Sequence, residues 1–528
     1  MQQQNNNTYN QPPQGEQMPP FAPMPPQMGM PGTVYGVQGR RRPNASAKAI
    51  FPQWLSRNAL IVYFLALAVV SFMYSAYSLP WYYMLSGVVS VMVFFFYGSH
   101  LVERFSPLKL RKVKSFEKRI FLIAFVPRVV FVVLLYWLFQ TNYGDAFGFE
   151  NADALFYDEL GQDFAKAMRE GRFVSTWQTI NKTIDISDLG YATYVGFVYS
   201  ITDNSIIFIR LLKCLWSSIM VVLVYRLAKR NFGDFTARMT AIFVALWPNF
   251  WYYCSAHLKE TEMVFLAVLF VEQADQMLRS QQFTAWKVIP VLLIGASLLT
   301  IRTPLALVAF LSLIFSLVMS STRVVSWGKR IIVGVLAVTL IGVVAGNRLQ
   351  ERAMGLVEQV QGGYQEGNME WRANRKDASG NTQRFARYAG KSVFAPLIFT
   401  IPFPTIVRPF EGQEVQQLLN GGNFTKNIIS GFTIFAMGML LISGKWREHL
   451  LPLSFLLGYL VVLTMSAFAH SERFHQPVMP FEFMFAAYGL SIAVTKSKYK
   501  RWFTYWCGLM FVACIAWNWF KLAGRGLA

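Results

Sequence analysis

The chain has 528 residues, of which 54% are hydrophobic and 16% aromatic, while only 15% are charged. A soluble globular chain carries about 25% charged residues, so too little polar surface is present to clothe a water-soluble fold. The net charge of +21 raises the question of a nucleic-acid partner, but the cations are dispersed in RRRP (40–43) and in segments 103–119, 226–238, 321–330 and 496–501, each lying between apolar runs. That pattern is the positive-inside signature of a membrane protein, and it sets nucleic acid aside.

Taken in chain order, residues 1–48 are rich in Gln, Asn, Pro and Met, without a periodicity that could bury a face. They read as a disordered cytoplasmic tail. Apolar runs then recur at approximately 59–79, 80–102, 120–140, 205–225, 237–254, 261–278, 288–301, 304–320, 331–346, 428–443, 450–469, 477–495 and 502–520. Runs of this length suit a hydrocarbon core of about 30 Å, so the fold class is an all-α, polytopic transmembrane helical bundle of about 13 helices. The pair around IRTP (301–304) reads as a broken helix. The four cysteines fall inside or at the ends of apolar runs and show no disulfide or metal-binding spacing.

With a cytoplasmic N-terminus, the alternation of spans places segments 141–190 and 347–427 outside the cytoplasm. The domain reading is then a tail (1–48), an N-terminal hairpin (59–102), a central transmembrane module (120–346) with an acidic exterior loop (141–190), an exterior loop (347–427) and a C-terminal set of helices (428–528). Within 347–427, the stretch NTQRFARYAGKSVFAPLIFTIPFP (381–404) begins basic and turns apolar, as an interfacial or re-entrant segment does.

The acidic loop opens with NADALFYDEL (151–160). Asn151 suits an N-cap, and Phe156, Leu160, Phe164 and Met168 form a slanted apolar stripe. At 100° per residue Asp153 and Tyr157 fall within that stripe, whereas Asp158 projects nearly opposite Phe156. The expectation is therefore that Asp153 faces inward and Asp158 faces water. A carboxylate at a helix N-terminus, partly desolvated, can serve as a general base; it can equally help cap the helix. Asp153 is the first catalytic candidate and Asp158 the second.

The same topology brings His257, Lys259, Glu260, Arg302, His470, Glu472, Arg473 and His475 to the membrane face that carries this loop. Arg302 and Arg473 can grip phosphate oxygens through a planar fork, and Lys259 can act as a point charge. Basic residues at helix ends also serve as interfacial anchors. Glu260 is placed to ligate a divalent cation or to orient Lys259, but no metal-ligand spacing is present among the histidines. Arg128, inside a span, is a functional candidate because intramembrane charge is expensive. Trp247, Trp251, Tyr252 and Tyr253 read as an interfacial aromatic belt.

The stretch DALFYDELGQDFAKAMREGR (153–172) resembles the first exterior loop of the GT-C class of integral-membrane glycosyltransferases, which includes protein O-mannosyltransferases and lipid A aminoarabinose transferases. The resemblance continues through GYATYVGFVYSITDNSIIFIRLLKCLWSSIMVVLVYRLAKRNFG (190–233), ALWPNFWYYCSAHLKETEMVFLAVLF (245–270), LLTIRTPLALV (298–308) and SERFHQPVMPFEFMFAAYGL (471–490). It implies a GT-C-like architecture in the cytoplasmic (inner) membrane of a bacterium. It also implies a polyprenyl-phosphate sugar donor, an acceptor that is a glycan, lipid or protein, and a catalytic exterior-loop Asp at the position of Asp153. Relatives often carry an acid pair there, whereas here the pair stands later, at Asp158 and Glu159. The expected activity is inverting transfer of a hexosyl or pentosyl group at the outer face, with substrate contacts from Tyr157, His257, Lys259, Glu260, Arg302 and Arg473. The rival reading is a transporter or flippase for a polar or lipid-linked solute, whose sign would be paired inverted repeats and broken helices at the midplane. A polysaccharide polymerase would use loop 347–427 but leaves the acidic loop unexplained.

Overall fold

The computed structural model describes residues 53–107, 113–147, 152–280, 284–319, 398–408, 419–465, 471–494 and 497–523. The tail 1–48, Asn151, the expected span 331–346, His470 and most of loop 347–427 lie outside the described residues. Among those described, helices account for nearly all regular structure, and the sole β-pairing is an isolated bridge between Ser78 and Val407. Among the described residues seven helices are long and apolar enough to cross a membrane: α1 (Gln53–Met73), α2 (Trp81–Arg104), α3 (Val113–Tyr143), α7 (Ile206–Phe232), α13 (Asn420–Ile442), α14 (Lys445–Thr464) and α16 (Arg501–Ala523). The protein is an all-α polytopic membrane protein.

Shorter helices complete the order: α4 (Ala152–Arg169), α5 (Phe173–Thr183) and α6 (Ile186–Thr202) before α7, then α8 (Asp234–Leu246), α9 (Pro248–Ser255), α10 (Glu260–Arg279), α11 (Ala285–Ile301) and α12 (Thr303–Met319), and finally α15 (Met479–Ala493). The run 237–254, which reads as one span, is two helices. Trp247 is extended because the proline after it disfavours helical backbone. The carbonyls freed at the end of α8 are taken up by side chains. Arg128 donates to Val244 O at 3.2 Å, and Trp251 Nε1 donates to Ala245 O at 2.8 Å. Arg128 also donates to Ala124 O at 2.8 Å and lies 5.9 Å from the Trp251 ring. Its charge is thus accounted for as a staple between α3 and the helix break, well inside the bundle. Trp247, Tyr252 and Tyr253 are buried, so they form core and not the expected aromatic belt.

Segment 398–408 runs as buried, non-helical chain, which apolar surroundings tolerate only if every backbone group finds a partner. Asn518 supplies several: it accepts from Ile406 N at 2.7 Å and donates to Pro404 O at 3.0 Å. Lys426 Nζ donates to Ile401 O at 2.6 Å, and Asn427 donates to Pro402 O at 3.1 Å. α13 therefore reads as a polar-faced helix whose Asn, Lys and Ser side chains serve this segment.

The acidic helix α4 packs on α6 through small residues. A Cβ added at Gly161 would lie 2.3 Å from Val195 Cγ1, and one at Gly196 would lie 2.4 Å from Phe164 Cβ. This close approach buries Ala154, Tyr157, Leu160, Phe164 and Ala165 against Tyr191, Ala192, Val195 and Tyr199. Each large apolar side chain so buried contributes about 1.5–3 kcal/mol, and together they fix where Asp153 stands.

Candidate functional site

The site lies where α10 begins, and its side chains come from segments far apart in sequence. Glu260 is in the first turn of α10 and Lys259 immediately precedes it. Arg302 is the single extended residue between α11 and α12, with φ −156° and ψ 91°. Arg473 sits in the short helical turn Glu472–His475. That turn is held from below: His475 Nδ1 lies 2.6 Å from Lys426 Nζ, the same ammonium that binds Ile401 O. Asp153 occupies the first turn of α4.

Arg473 joins two of these elements. Its Nη1 donates to Asp153 Oδ2 at 2.5 Å, and its Nε donates to Glu260. Burial alone would lower the guanidinium, but the two carboxylates more than offset this and hold it above its usual range, so it stays cationic. Glu260 is 3% exposed, whereas the Asp153 side chain is 60% exposed. One partner is therefore structural ballast and the other is open to solvent.

A second pair stands beside the first. Lys259 Nζ donates to Asp188 Oδ1 and, at 2.8 Å, to Ser187 O, and the Tyr157 hydroxyl donates to the same Asp188 oxygen at 2.7 Å. Burial pushes the Lys259 ammonium below the usual lysine range, and Asp188 only partly counters it. Burial would raise the Asp188 carboxyl, yet Lys259 and the Tyr157 hydroxyl bring it below the ordinary value. Tyr157 is driven up by burial and by Asp188, and stays a neutral donor. Arg302 is close enough to act electrostatically on both Asp188 and Lys259, and its guanidinium lies 4.8 Å from the Phe474 ring. Among the described residues Arg302 makes no carboxylate ion pair, which leaves its fork available to an anion.

The expected facing of α4 is reversed. Asp158 is 7% exposed and accepts from the Tyr199 hydroxyl and, at 2.8 Å, from Gln162, whereas Asp153 faces solvent. The stripe of bulky residues misled because Phe156 is exposed. The true contact stripe runs through Ala154, Asp158, Gly161 and Ala165, where small side chains allow α6 to approach. His257 is also displaced from its expected role: it is fully buried behind this helix, 3.9 Å from Asp158 Oδ1 and stacked on Tyr199. Burial and the nearby Lys213 and Arg210 push its imidazole well below the usual histidine range, so it is neutral packing and not a surface cation. Of the two roles weighed for Glu260, it orients a cation, but that cation is Arg473 and not Lys259.

Asp188 is the site residue that sequence reasoning missed. In DISDLG (185–190) it looks like an ordinary helix N-terminal acid, since Asp185 already caps α6 by accepting from Ser187 N at 3.0 Å. The available signal was the second acid in that first turn, one more than a cap needs. Lys213 and Arg210 were masked by the apolar run around them; both are fully buried, and Lys213 pairs with Glu262 at 3.3 Å. Among the described residues no group of three or more His, Cys, Asp or Glu is arranged to hold a metal ion.

Chemically, the arrangement offers a solvent-facing carboxylate within one hydrogen bond of a guanidinium, a second guanidinium without a carboxylate partner among the described residues, and a buried ammonium. Such a set can bind a phosphate group and accept a proton beside it. Residues 190–346, less than a third of the chain, match the family described as dolichyl-phosphate-mannose-protein mannosyltransferase, a similarity to membrane glycosyltransferases of the GT-C type. No curated protein and no solved structure matches the chain. The matched segment carries Lys259, Glu260 and Arg302; Asp153, Asp188 and Arg473 lie outside it and reach it only through the fold.

Proposed function

We propose that this membrane glycosyltransferase moves a sugar from a polyprenyl-phosphate carrier to a hydroxyl of a protein, lipid or glycan, with inversion, at the outer face of the cytoplasmic membrane. Asp153 takes the proton of the acceptor hydroxyl as its oxygen attacks the anomeric carbon. The bond from that carbon to the phosphate oxygen breaks, and the electron pair leaves with the polyprenyl phosphate. Arg302 and Arg473 hold the phosphate and stabilise the charge that grows on it, with Lys259 adding positive potential from behind. Asp188 and Tyr157 keep Lys259 in place, and Asp158 anchors α4 from its buried face.

The observation that carries this reading is the 2.5 Å contact between Asp153 and Arg473, beside Arg302, which has no carboxylate partner among the described residues. Carboxylate and phosphate-binding cations meet at one point, as an acceptor hydroxyl and a leaving phosphate require. An incoming phosphate can compete with Asp153 for Arg473, which frees the carboxylate to act as base when the donor is seated. The basic loops 103–119 and 226–238 support an orientation with this site outside the cytoplasm.

The test is sugar transfer in proteoliposomes with a panel of polyprenyl-phosphate hexose and pentose donors, comparing wild type with Asp153→Asn. General-base loss predicts a fall of about 10²–10⁴-fold with donor binding retained. Full activity in the variant would place the base elsewhere. Movement of the lipid-linked sugar across the bilayer without transfer to any acceptor would favour a flippase.

A further inference from the structure

Next to the charged cluster, and sharing walls with it, a groove of about 400 Å³ opens between α6, α7, α10 and α11, within the size range of small-molecule sites. Gly190 in its lining follows Asp188 by two residues, Ile301 immediately precedes Arg302, and Glu262 lies one turn into α10 from Lys259. None of the cations discussed above lines it. Its walls are aromatic: Trp216 stacks on Phe265 with centroids 5.3 Å apart and donates its Nε1–H to the Tyr194 hydroxyl at 3.1 Å, while Trp177 reaches in from α5.

One polar group in this lining, the Thr193 hydroxyl, is buried without a hydrogen-bond partner among the described residues. Beside it the Glu262 carboxylate is held by Lys213 at 3.3 Å, and a carboxylate has acceptor capacity beyond one ion pair. A buried hydroxyl left without a partner is unfavourable, and a ligand that supplies hydroxyls removes the penalty. A purely hydrocarbon occupant would leave Thr193 unsatisfied. The floor is closely set: a Cβ at Gly190 would lie 2.2 Å from Thr300 Oγ1. Flat aromatic walls with a carboxylate and a hydroxyl between them match a ring that has C–H faces and O–H edges.

We infer that this groove receives the sugar ring of the donor, with Glu262 and Thr193 recognising its hydroxyls and Trp216 and Tyr194 lying against its face. The inference rests on the glycosyl-transfer reading. In it the phosphate is held by Arg302 and Arg473, and the ring extends from that phosphate past Ile301 into the groove. Glu262 and Thr193 are then determinants of sugar specificity.

The test uses the full chain in nanodiscs and measures equilibrium binding, by quenching of intrinsic tryptophan fluorescence, of sugar-free polyprenyl phosphate and of a panel of polyprenyl-phosphate hexoses and pentoses. At least one glycosylated carrier should bind about fivefold or more tighter than the bare carrier, as one or two added hydrogen bonds provide. Glu262→Gln and Thr193→Val should each abolish that advantage while leaving affinity for the bare carrier unchanged. Thr193→Val leaves the Lys213 ion pair intact, so it remains informative if Glu262→Gln fails to fold. Equal binding of all carriers by wild type, or an advantage that survives both substitutions, overturns the subsite. A matching loss of affinity for the bare carrier would assign the groove to the lipid chain. Quenching by a free methyl glycoside at saturating donor would assign it to the acceptor, and either result overturns the inference. Failure of wild type to bind even the bare carrier would instead sink the donor reading on which it rests.

Discussion

At the Arg279 end of α10, Arg230 binds Glu272 and Asp275 at 2.9 Å each, Arg279 binds Asp275 at 2.9 Å, and Arg226 forms a two-point contact with Glu117 at 2.9 and 3.0 Å. At the Glu260 end, on the order of 30 Å away by the rise of an α-helix, Arg473 divides its bonds between buried Glu260 and exposed Asp153, and Arg302 has no carboxylate at all among the described residues. Both ends contain arginines and acids in similar numbers. The difference is closure. One end is a completed set of ion pairs in which Glu272 and Asp275 are each 1% exposed, and the other leaves a carboxylate and a guanidinium open beside a groove. Clustered charge in an apolar protein is therefore a poor guide to function by itself, and the state of its pairing is a better one.

The sharpest way to break this comparison is to remove one arginine from each end. Arg473→Ala is expected to lower kcat/KM for transfer by about a hundredfold or more, since it removes a group that binds developing charge, and, because it strands buried Glu260, to lower the unfolding temperature as well. Arg230→Ala should lower the unfolding temperature alone. It removes the ion-pair partner of buried Glu272 while Asp275 keeps Arg279, which costs about 3 kcal/mol, and the surviving folded protein retains near-normal kcat/KM. Equal effects of both substitutions on transfer would erase the distinction.

Arg302→Lys sharpens it further. A lysine keeps the charge but loses the fork, and the expected result is a rise in donor KM of about tenfold with a smaller change in kcat. Lys259→Arg addresses protonation. The Lys259 ammonium is held below the usual lysine range, so it is charged at low pH and loses its charge as pH rises through that lowered value. If its charge supports transfer, the wild-type profile falls on its alkaline side earlier than a free lysine would dictate, and Lys259→Arg moves that limb upward. An unmoved limb would remove Lys259 from the site. The smallest effect is expected for Gly161→Ala: its methyl meets Val195 at 2.3 Å, so α4 must shift outward, and a loss of a few-fold in kcat at nearly unchanged donor KM should follow.

Much of the fold was legible because long apolar runs leave few alternatives, and the break at Arg302 was visible from Pro304 and the two short runs around it. A count of about 13 crossings led to the expectation that Asp153 and Arg473 share a face, and the structure brings the two into contact, although among the described residues only seven helices are long and apolar enough to cross and 237–254 is not one span. The facing of α4 was not legible, because the eye weights Phe156 and Met168 while the fold used Gly161 and Gly196 to bring two helices together. Asp188 was hidden by its resemblance to a capping residue. Lys213 and Glu262 were hidden for another reason: they lie on different helices far apart in sequence, and only the packing of α7 against α10 shows that they belong together.

The central claim is that the exposed acid of α4 and the guanidinium of residue 473 occupy one site. Its most direct test is cross-linking in native membranes of the double variant Asp153→Cys, Arg473→Cys with a short bis-maleimide, alongside Asp153→Cys, Arg230→Cys; the four native cysteines are buried. The first pair should give an intramolecular cross-link that polyprenyl-phosphate donor slows, and the second should give none. No cross-link in the first pair, or equal cross-linking in both, would contradict the account.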